Sequence, residues 1–241
     1  MTDGLGAVTA FIINILLLDW LAVIFSWRRV ECLTKPLAMM MIILWTLTAA
    51  GWHVDSMLLL LIFGQGFGLA GDVFLLLSRR WFLWGLGSFF FGHLFYLSIL
   101  GRHLIRIVND SDLSDIWMWW ILLSCVVWMV LLLVFYRVVA PKSPRLTMQL
   151  AMWVPIQFYG WILISLVTLS ILVSFSKPGF TASLVFLPAG SFLFFLSDSL
   201  LAFDRFKRKM PKIRVWVMMT YHLAQISLAG GFLTLLGYSW I

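Results

Sequence analysis

Charge is what this chain has least of. Only 11% of its 241 residues are Asp, Glu, Lys or Arg, against 63% hydrophobic, and the mean hydropathy is +1.02. A soluble domain cannot hide that much apolar surface, so the composition requires a polytopic membrane protein. Cysteine is nearly absent. Cys32 and Cys125 stand alone in or beside apolar segments, which points to two small buried hydrophobes rather than a disulfide or a metal pair. The opening Met1-Thr-Asp-Gly has no basic stretch, which argues against a cleaved signal peptide. Gly-x-Ser-x-Gly and His-Glu-x-x-His are also missing, so neither a serine acyl hydrolase nor a zincin has support. No nucleic-acid-binding motif accompanies the +7 net charge, which is then a bias of the loops toward anionic lipid. No cofactor or metal is expected.

What the chain does have is eight apolar segments: Gly6–Trp27, Pro36–Gly51, Ser56–Leu77, Trp81–Leu100, Ile116–Val139, Met148–Ser174, Phe180–Phe203 and Val215–Tyr238. They predict an all-α bundle of eight transmembrane helices forming one domain over residues 1–241. The lengths suit a hydrocarbon core of about 30 Å, except the second, about 24 Å if wholly helical. Most of the fourteen Trp, including Trp27, Trp52, Trp84 and Trp119, fall near segment ends, where indoles favour the headgroup level.

The connections alternate in charge. The first, third, fifth and seventh carry Arg28, Arg29 and Lys35; Arg79 and Arg80; Arg137, Lys142 and Arg145; and Arg205, Lys207, Arg208, Lys209, Lys212 and Arg214. The opposite side has only Arg102, Arg106 and Lys177, the first two in a polar stretch Arg102–Asp115 expected to be a loop. By the positive-inside rule both termini face out and the odd connections face the cytoplasm, in a membrane of the bacterial inner type.

Besides the first, which holds Asp19, two membrane segments contain an acid. Asp72 follows the glycine-rich run Gly64-x-Gly66-x-Gly68-x-x-Gly71, and Gly64, Asp72 and Arg79 recur 126 residues later as Gly190, Asp198 and Arg205. The echo suggests two four-helix halves in the same orientation, although segments one and two show no such match to five and six. A carboxylate within a membrane helix costs roughly 2.5–3.5 kcal/mol on insertion scales, so each is a candidate functional residue. Asp72 and Asp198 each lie seven residues before a basic residue, and Tyr221 lies seven after Arg214, with Gln225 one turn further in. This makes one polar layer roughly 10–16 Å inside the cytoplasmic ends. His93 and Tyr96 lie deeper, about 20 Å or more from Arg80 on the same rise.

For each there is a plainer reading. Lys35-Pro36, at the start of the short second segment, makes a phosphate seat at a helix N-terminus, or an interfacial lysine that merely snorkels. Asp19 is read as structural, paired with Asn14 or a neighbouring helix. His93 and His222 serve equally as interhelical hydrogen-bonding groups, and the glycines permit close helix packing. Tyr159, four residues after Pro155, either lines a cavity or packs.

In this order, Lys35-Pro36, Gly71-Asp72, His93-x-x-Tyr96, Tyr159, Ser197-Asp198 and Tyr221-x-x-Ala224-Gln225 resemble the YhhN-type lysoplasmalogenase family, from about Lys35 to the end of the last segment. The resemblance implies a membrane enzyme that hydrolyses the vinyl ether bond of lysoplasmalogens to a fatty aldehyde and a glycerophospho-ethanolamine or -choline. It implies Asp72 and Asp198 as the active-site acids, with Lys35, His93, Tyr96, Tyr159, Tyr221 and Gln225 binding or positioning a lysophospholipid. His222 stands where that family often has another aromatic, so no role passes to it. Vinyl ether hydrolysis needs a general acid and a carboxylate to steady the cation. Two close acids that cannot both ionise would supply them. The rival readings are a metal-dependent lipid hydrolase built on His93, His222, Asp72 and Asp198, and a proton-coupled transporter.

Overall fold

The computed structural model describes residues 2–110, 115–139, 148–176, 185–206, 209–238 and 240. All of its regular structure is helical: α1 (Thr2–Ile24), α2 (Arg28–Ala49), α3 (Ser56–Leu76), α4 (Phe82–Asp110), α5 (Asp115–Val139), α6 (Met148–Ser176), α7 (Phe186–Phe206) and α8 (Ile213–Leu235), with one 3-10 turn at Arg79–Trp81. Among the described residues seven of these helices are long and apolar enough to cross a membrane. The eighth, α8, carries Arg214, Tyr221, His222 and Gln225 and is less apolar. It is nonetheless deeply enclosed, with most of its length buried against α7, α1 and α2. An interior helix can be more polar because protein, not lipid, surrounds it. The described residues form an integral membrane bundle of eight helices.

Two segment boundaries differ from those expected. The second segment is not short, because α2 begins at Arg28 and carries Pro36 in its interior. The reason lies in the turn before it. Ser26, at φ +58°, closes α1 as Trp27 N–H reaches Ala22 O at 2.7 Å and Ser26 N–H reaches Val23 O at 3.3 Å. This left-handed closure turns the chain within three residues, so the next helix starts at once. Glu31, held by Arg214, and Thr34, held by Asp19, then anchor its first two turns.

The polar stretch after Leu100 is likewise not a loop up to Asp110. Helix α4 continues because Leu100, Leu104 and Ile107 keep an apolar stripe at helical spacing, while Arg102 and Arg106 fall on the other faces. Its remainder before Asp115, the start of the seventh segment at Phe180, and Lys142, Arg145, Lys177, Lys207 and Arg208 lie outside the described residues. The two cysteines are free, as expected, but both are exposed rather than buried. On a lipid-facing surface a thiol is simply another small apolar side chain.

Helix α3 packs on α4, and α7 on α8, more extensively than any other pairs. Glycine allows the first contact. At Gly71 an added Cβ would stand 2.8 Å from the Phe89 ring, and at Gly92 it would stand 2.9 Å from the Gly64 carbonyl. The neighbours then repeat along the chain. Helix α1 packs on α2, α2 on α3 and α3 on α4, just as α5 packs on α6, α6 on α7 and α7 on α8. The two fours meet through α4 on α6 and α8 on α2. The α4–α6 and α8–α2 contacts correspond under a parallel 4+4 repeat, whereas α5 on α7 and α1 on α8 have no comparable counterparts among the described residues. Helix α5 is the most peripheral, presenting Leu122, Val126, Met129 and Leu133 outward, whereas the centre is a continuous apolar cluster to which all eight helices contribute.

Candidate active site

Five helices bring their polar residues to one end of the bundle. Asp72 sits four residues before the end of α3, Asp198 eight before the end of α7, Lys35 seven into α2, Tyr221 eight into α8 and Tyr159 eleven into α6. At 1.5 Å per residue these are depths of about 6–16 Å from the same ends of the helices. The polar layer expected from spacing is therefore assembled. Asp72 is its shallowest member.

Asp72 is fully buried and has two partners on different helices. The Tyr221 hydroxyl donates to its Oδ2 at 2.6 Å, and Lys35 Nζ lies 3.1 Å from Oδ1. Gln225 Nε2 donates to the Tyr221 oxygen at 3.2 Å, and the Lys35 ammonium also lies 5.5 Å from the centre of the Tyr221 ring. Lys35 is therefore not a phosphate seat at a helix N-terminus. It stands two turns inside α2, only 4% exposed, and its charge faces Asp72. Asp72 therefore has a buried counter-charge, which offsets part of the cost of placing a carboxylate in a membrane helix.

Asp198 has different surroundings. The Tyr159 hydroxyl donates to its Oδ2 in a short hydrogen bond. Its Oδ1 has no hydrogen-bond partner, and no cation comes within ion-pair distance of it, among the described residues. The side chain remains partly accessible, which fits its place on a cavity wall.

That cavity, of about 210 Å³, is lined by both acids together with Lys35, Tyr221, Phe89 and Ser197. Its outer part is charged, with Arg28, Glu31, Asp204, Arg205 and Arg214. Glu31 is held by Arg214 Nη2, at 2.6 and 2.8 Å from its two oxygens. Arg28 spans from Glu31, at 3.4 Å, to the Leu76 carbonyl, at 2.7 Å, which satisfies an orphan acceptor at the end of α3. Arg205 lies over the Phe82 ring at 3.9 Å. Asp204 accepts from Lys209 Nζ at 2.5 Å and from Met210 N–H at 3.2 Å. A polar vestibule thus leads from the helix ends down to the two carboxylates.

The remaining candidates lie outside this vestibule. His93 is buried, with Nδ1 2.6 Å from the Phe89 carbonyl, so that nitrogen is assigned the proton. It stacks edge-on against Phe194, Tyr159 and Tyr96. Tyr96 fills the space that Gly64 leaves open and packs on Phe232. These two residues support the floor of the site and do not line the cavity.

His222 accepts a hydrogen bond from Trp20 Nε1 at 3.0 Å and directs Nε2 toward Asp19, 4.0 Å away. Asp19 takes the Thr34 hydroxyl at 2.5 Å, whereas Asn14 turns back to the Ala10 carbonyl. Its partner is thus the neighbouring helix α2. The set His93, His222, Asp72 and Asp198 is not gathered in one place. No group of three His, Cys, Asp or Glu side chains suited to a metal ion occurs among the described residues.

Sequence reasoning missed Glu31 and Asp204. An acid one or two turns from the basic cluster of its own connection was the available signal.

Comparison with curated proteins gave no match, and comparison with solved structures gave none either. Residues 30–232, from the first turn of α2 to the last turn of α8, match the YhhN family, and the chain belongs to that family.

Proposed function

We propose that the protein is a lysoplasmalogenase, an ether hydrolase that cleaves the vinyl ether bond of a lysoplasmalogen. The reaction releases a fatty aldehyde and a glycerophospho-ethanolamine or -choline. One observation carries the reading: two carboxylates from different helices, one in ion-pair contact with a lysine and one not, line a single cavity that opens at the headgroup end of the bundle. Membership of the YhhN family supports it.

The two acids then take different parts. Asp198 gives a proton to the β carbon of the vinyl ether, which converts the C=C–O unit to an oxocarbenium ion. Asp72, held as a carboxylate by Lys35 and Tyr221, steadies that cation and receives a proton from the water that attacks the carbon bonded to oxygen. The resulting hemiacetal collapses to aldehyde and alcohol, and the proton taken up by Asp72 balances the one that Asp198 gave. The proton is assigned to Asp198 because Lys35 stands 3.1 Å from Asp72, whereas no described cation comes within ion-pair distance of Asp198, which Lys35 reaches only from further off. Fixed donors and charges in a poorly solvated site are worth far more than in water.

The vestibule suits the rest of the substrate. Arg28, Arg205 and Arg214 offer positive charge to a phosphate, and Glu31 and Asp204 offer negative charge to an ammonium. A zwitterionic headgroup carries both. With Asp72 about 6 Å from the end of α3, the vinyl ether meets the acids near the glycerol level and need not sink far into the bilayer.

Replacing Asp198 tests this assignment. Asp198→Asn removes the transferable proton and keeps an acceptor for Tyr159, so aldehyde release should fall about 10²–10⁴-fold, the usual contribution of general acid catalysis. The melting temperature should change little, because no described cation is left unpaired. Near-normal aldehyde release by the folded variant overturns the assignment.

A further inference from the structure

The floor of the vestibule is not closed. Beside Asp198 and Tyr159 a narrow apolar recess continues between Phe89, Phe135, Ile156 and Leu86. At about 30 Å³ it has room for about one water. It shares Asp198, Phe82, Phe89 and Leu201 with the vestibule, and it shares Leu86 and Tyr159 with a third space of about 340 Å³. That third space is a groove on the outer surface of the bundle. Leu83, Gly87 and Phe90 of α4 form one wall, and Pro155 and Phe158 of α6 form the other. Leu83 and Phe158 are exposed there, where the surrounding medium is lipid. An added Cβ at Gly87 would meet nothing within 4 Å.

The three spaces are collinear in chemistry. They run from charged residues through two acids to a mainly apolar recess beside Asp198 and Tyr159, and then out between two helices to the membrane. Leu83 to Phe90 occupy the first turns of α4 and Pro155 to Tyr159 the second and third of α6. The groove therefore opens at the same depth as the acids, within the leaflet that the vestibule faces. A single-chain lipid has this sequence of parts in this order: zwitterionic head, reacting bond, hydrocarbon chain.

We infer that the groove between α4 and α6, joined to the acids through Leu86 and Tyr159, holds the alkenyl chain of the substrate and is the lateral door through which the lipid enters and the aldehyde leaves. The inference rests on the vinyl ether reading and adds the route and the residues that measure chain length. Leu86 is the gate, because its side chain lines both the recess and the groove and must turn aside for a chain to pass. Tyr159 then has two neighbours, Asp198 on one side and the chain on the other, so a seated chain tightens the hydroxyl against the acid. The groove offers the chain an apolar wall much like the lipid it leaves. Its contribution is thus selection by shape, and little binding energy comes from it.

The test has two arms. In the first, Gly87→Phe fills the groove from a position with no neighbours to disturb, and aldehyde release is compared for long-chain and short-chain 1-alkenyl lysophosphoethanolamine. The ratio of long- to short-chain turnover should fall at least tenfold, within the 10–200-fold that a pocket commands by steric fit. Gly101→Phe, equally free of neighbours on the same helix, should leave the ratio as it is. An unchanged ratio in a folded Gly87→Phe protein means that only bulk lipid occupies the groove, and overturns the inference.

The second arm needs no turnover. A 1-alkyl lysophosphoethanolamine with a terminal diazirine is photolysed on the unaltered protein in nanodiscs, and the modified peptides are identified. Labelling should concentrate on Leu83–Phe90 and Pro155–Tyr159 and be competed by unlabelled lysolipid. Labelling spread over the lipid-facing helices, without competition, overturns the groove. Absence of aldehyde from the unaltered protein defeats the vinyl ether reading instead, and the labelling pattern still decides where the chain lies.

Discussion

Replacing Asp72 by Asn leaves the shape of the site nearly intact and removes the one carboxylate that is in ion-pair contact with Lys35 among the described residues. Lys35 is 4% exposed and Asp72 not exposed at all, so the little water that reaches them from the vestibule replaces the lost partner only in part. Removing one member of a buried ion pair costs about 3–5 kcal/mol, because the other charge is left stranded. At about 2–4 °C per kcal/mol for a chain of this size, Asp72→Asn should lower the melting temperature by about 6–20 °C. Lys35→Met should be destabilising for the same reason, though less so, since the Tyr221 hydroxyl still serves Asp72. The double variant Lys35→Met/Asp72→Asn strands neither charge and should recover most of the loss, for replacement of a whole buried pair is often nearly neutral. The assay is a double-mutant cycle on purified protein in detergent, read by thermal unfolding, with aldehyde release measured on the same samples. The double variant is also the clean catalytic test of Asp72, since it should be folded and still inactive. Additive losses, or an Asp72→Asn protein as stable as the unaltered one, would refute the buried pair.

Three further outcomes are expected. Gly71→Ala should destabilise by about 1–3 kcal/mol, as overpacking does, since its Cβ would lie 2.8 Å from Phe89; thermal unfolding checks it, and no loss contradicts the close α3–α4 contact. Asp19→Asn keeps an acceptor for Thr34 and lies outside the vestibule, so aldehyde release should stay within about tenfold, well short of the general-acid scale. A cysteine at Lys209 should resist an impermeant maleimide in intact cells and react after permeabilisation, as the basic bias of that connection predicts; efficient labelling of intact cells reverses the orientation.

The sequence exposed the helices through their apolar length, and the polar layer through the distance of each acid and tyrosine from a basic end. Both signals are one-dimensional, and both survive folding because a membrane helix runs straight between the two surfaces. Pairings between helices are not written that way. Lys35 read as a headgroup residue because Pro36 usually opens a helix. The tight turn at Ser26 and the anchoring of Glu31 by Arg214, 183 residues away, move the helix start and carry Lys35 inward to Asp72. His93 and Tyr96 lay at the expected depth, but whether a side chain at that depth faces a cavity or its neighbours depends on helix rotation. The aromatic cluster with Phe194 and Phe232 decided it. The break in chemical symmetry between Asp72 and Asp198 was hidden by the 126-residue repeat, which makes the two acids look alike while α2 supplies a lysine to one and α6 a tyrosine to the other.

The central claim is that these acids protonate and hydrate a vinyl ether. Its most direct measurement is aldehyde release from purified protein given lysoplasmenyl-ethanolamine in water enriched in oxygen-18, beside the Asp198→Asn variant and the ester analogue of the same lipid. The mechanism predicts aldehyde from the vinyl ether alone, loss of nearly all of it in the variant, and unlabelled oxygen in the glycerol product, because the bond broken is between oxygen and the vinyl carbon. Aldehyde formation that Asp198→Asn leaves intact, cleavage of the ester at a similar rate, or heavy oxygen in the glycerol product would contradict it.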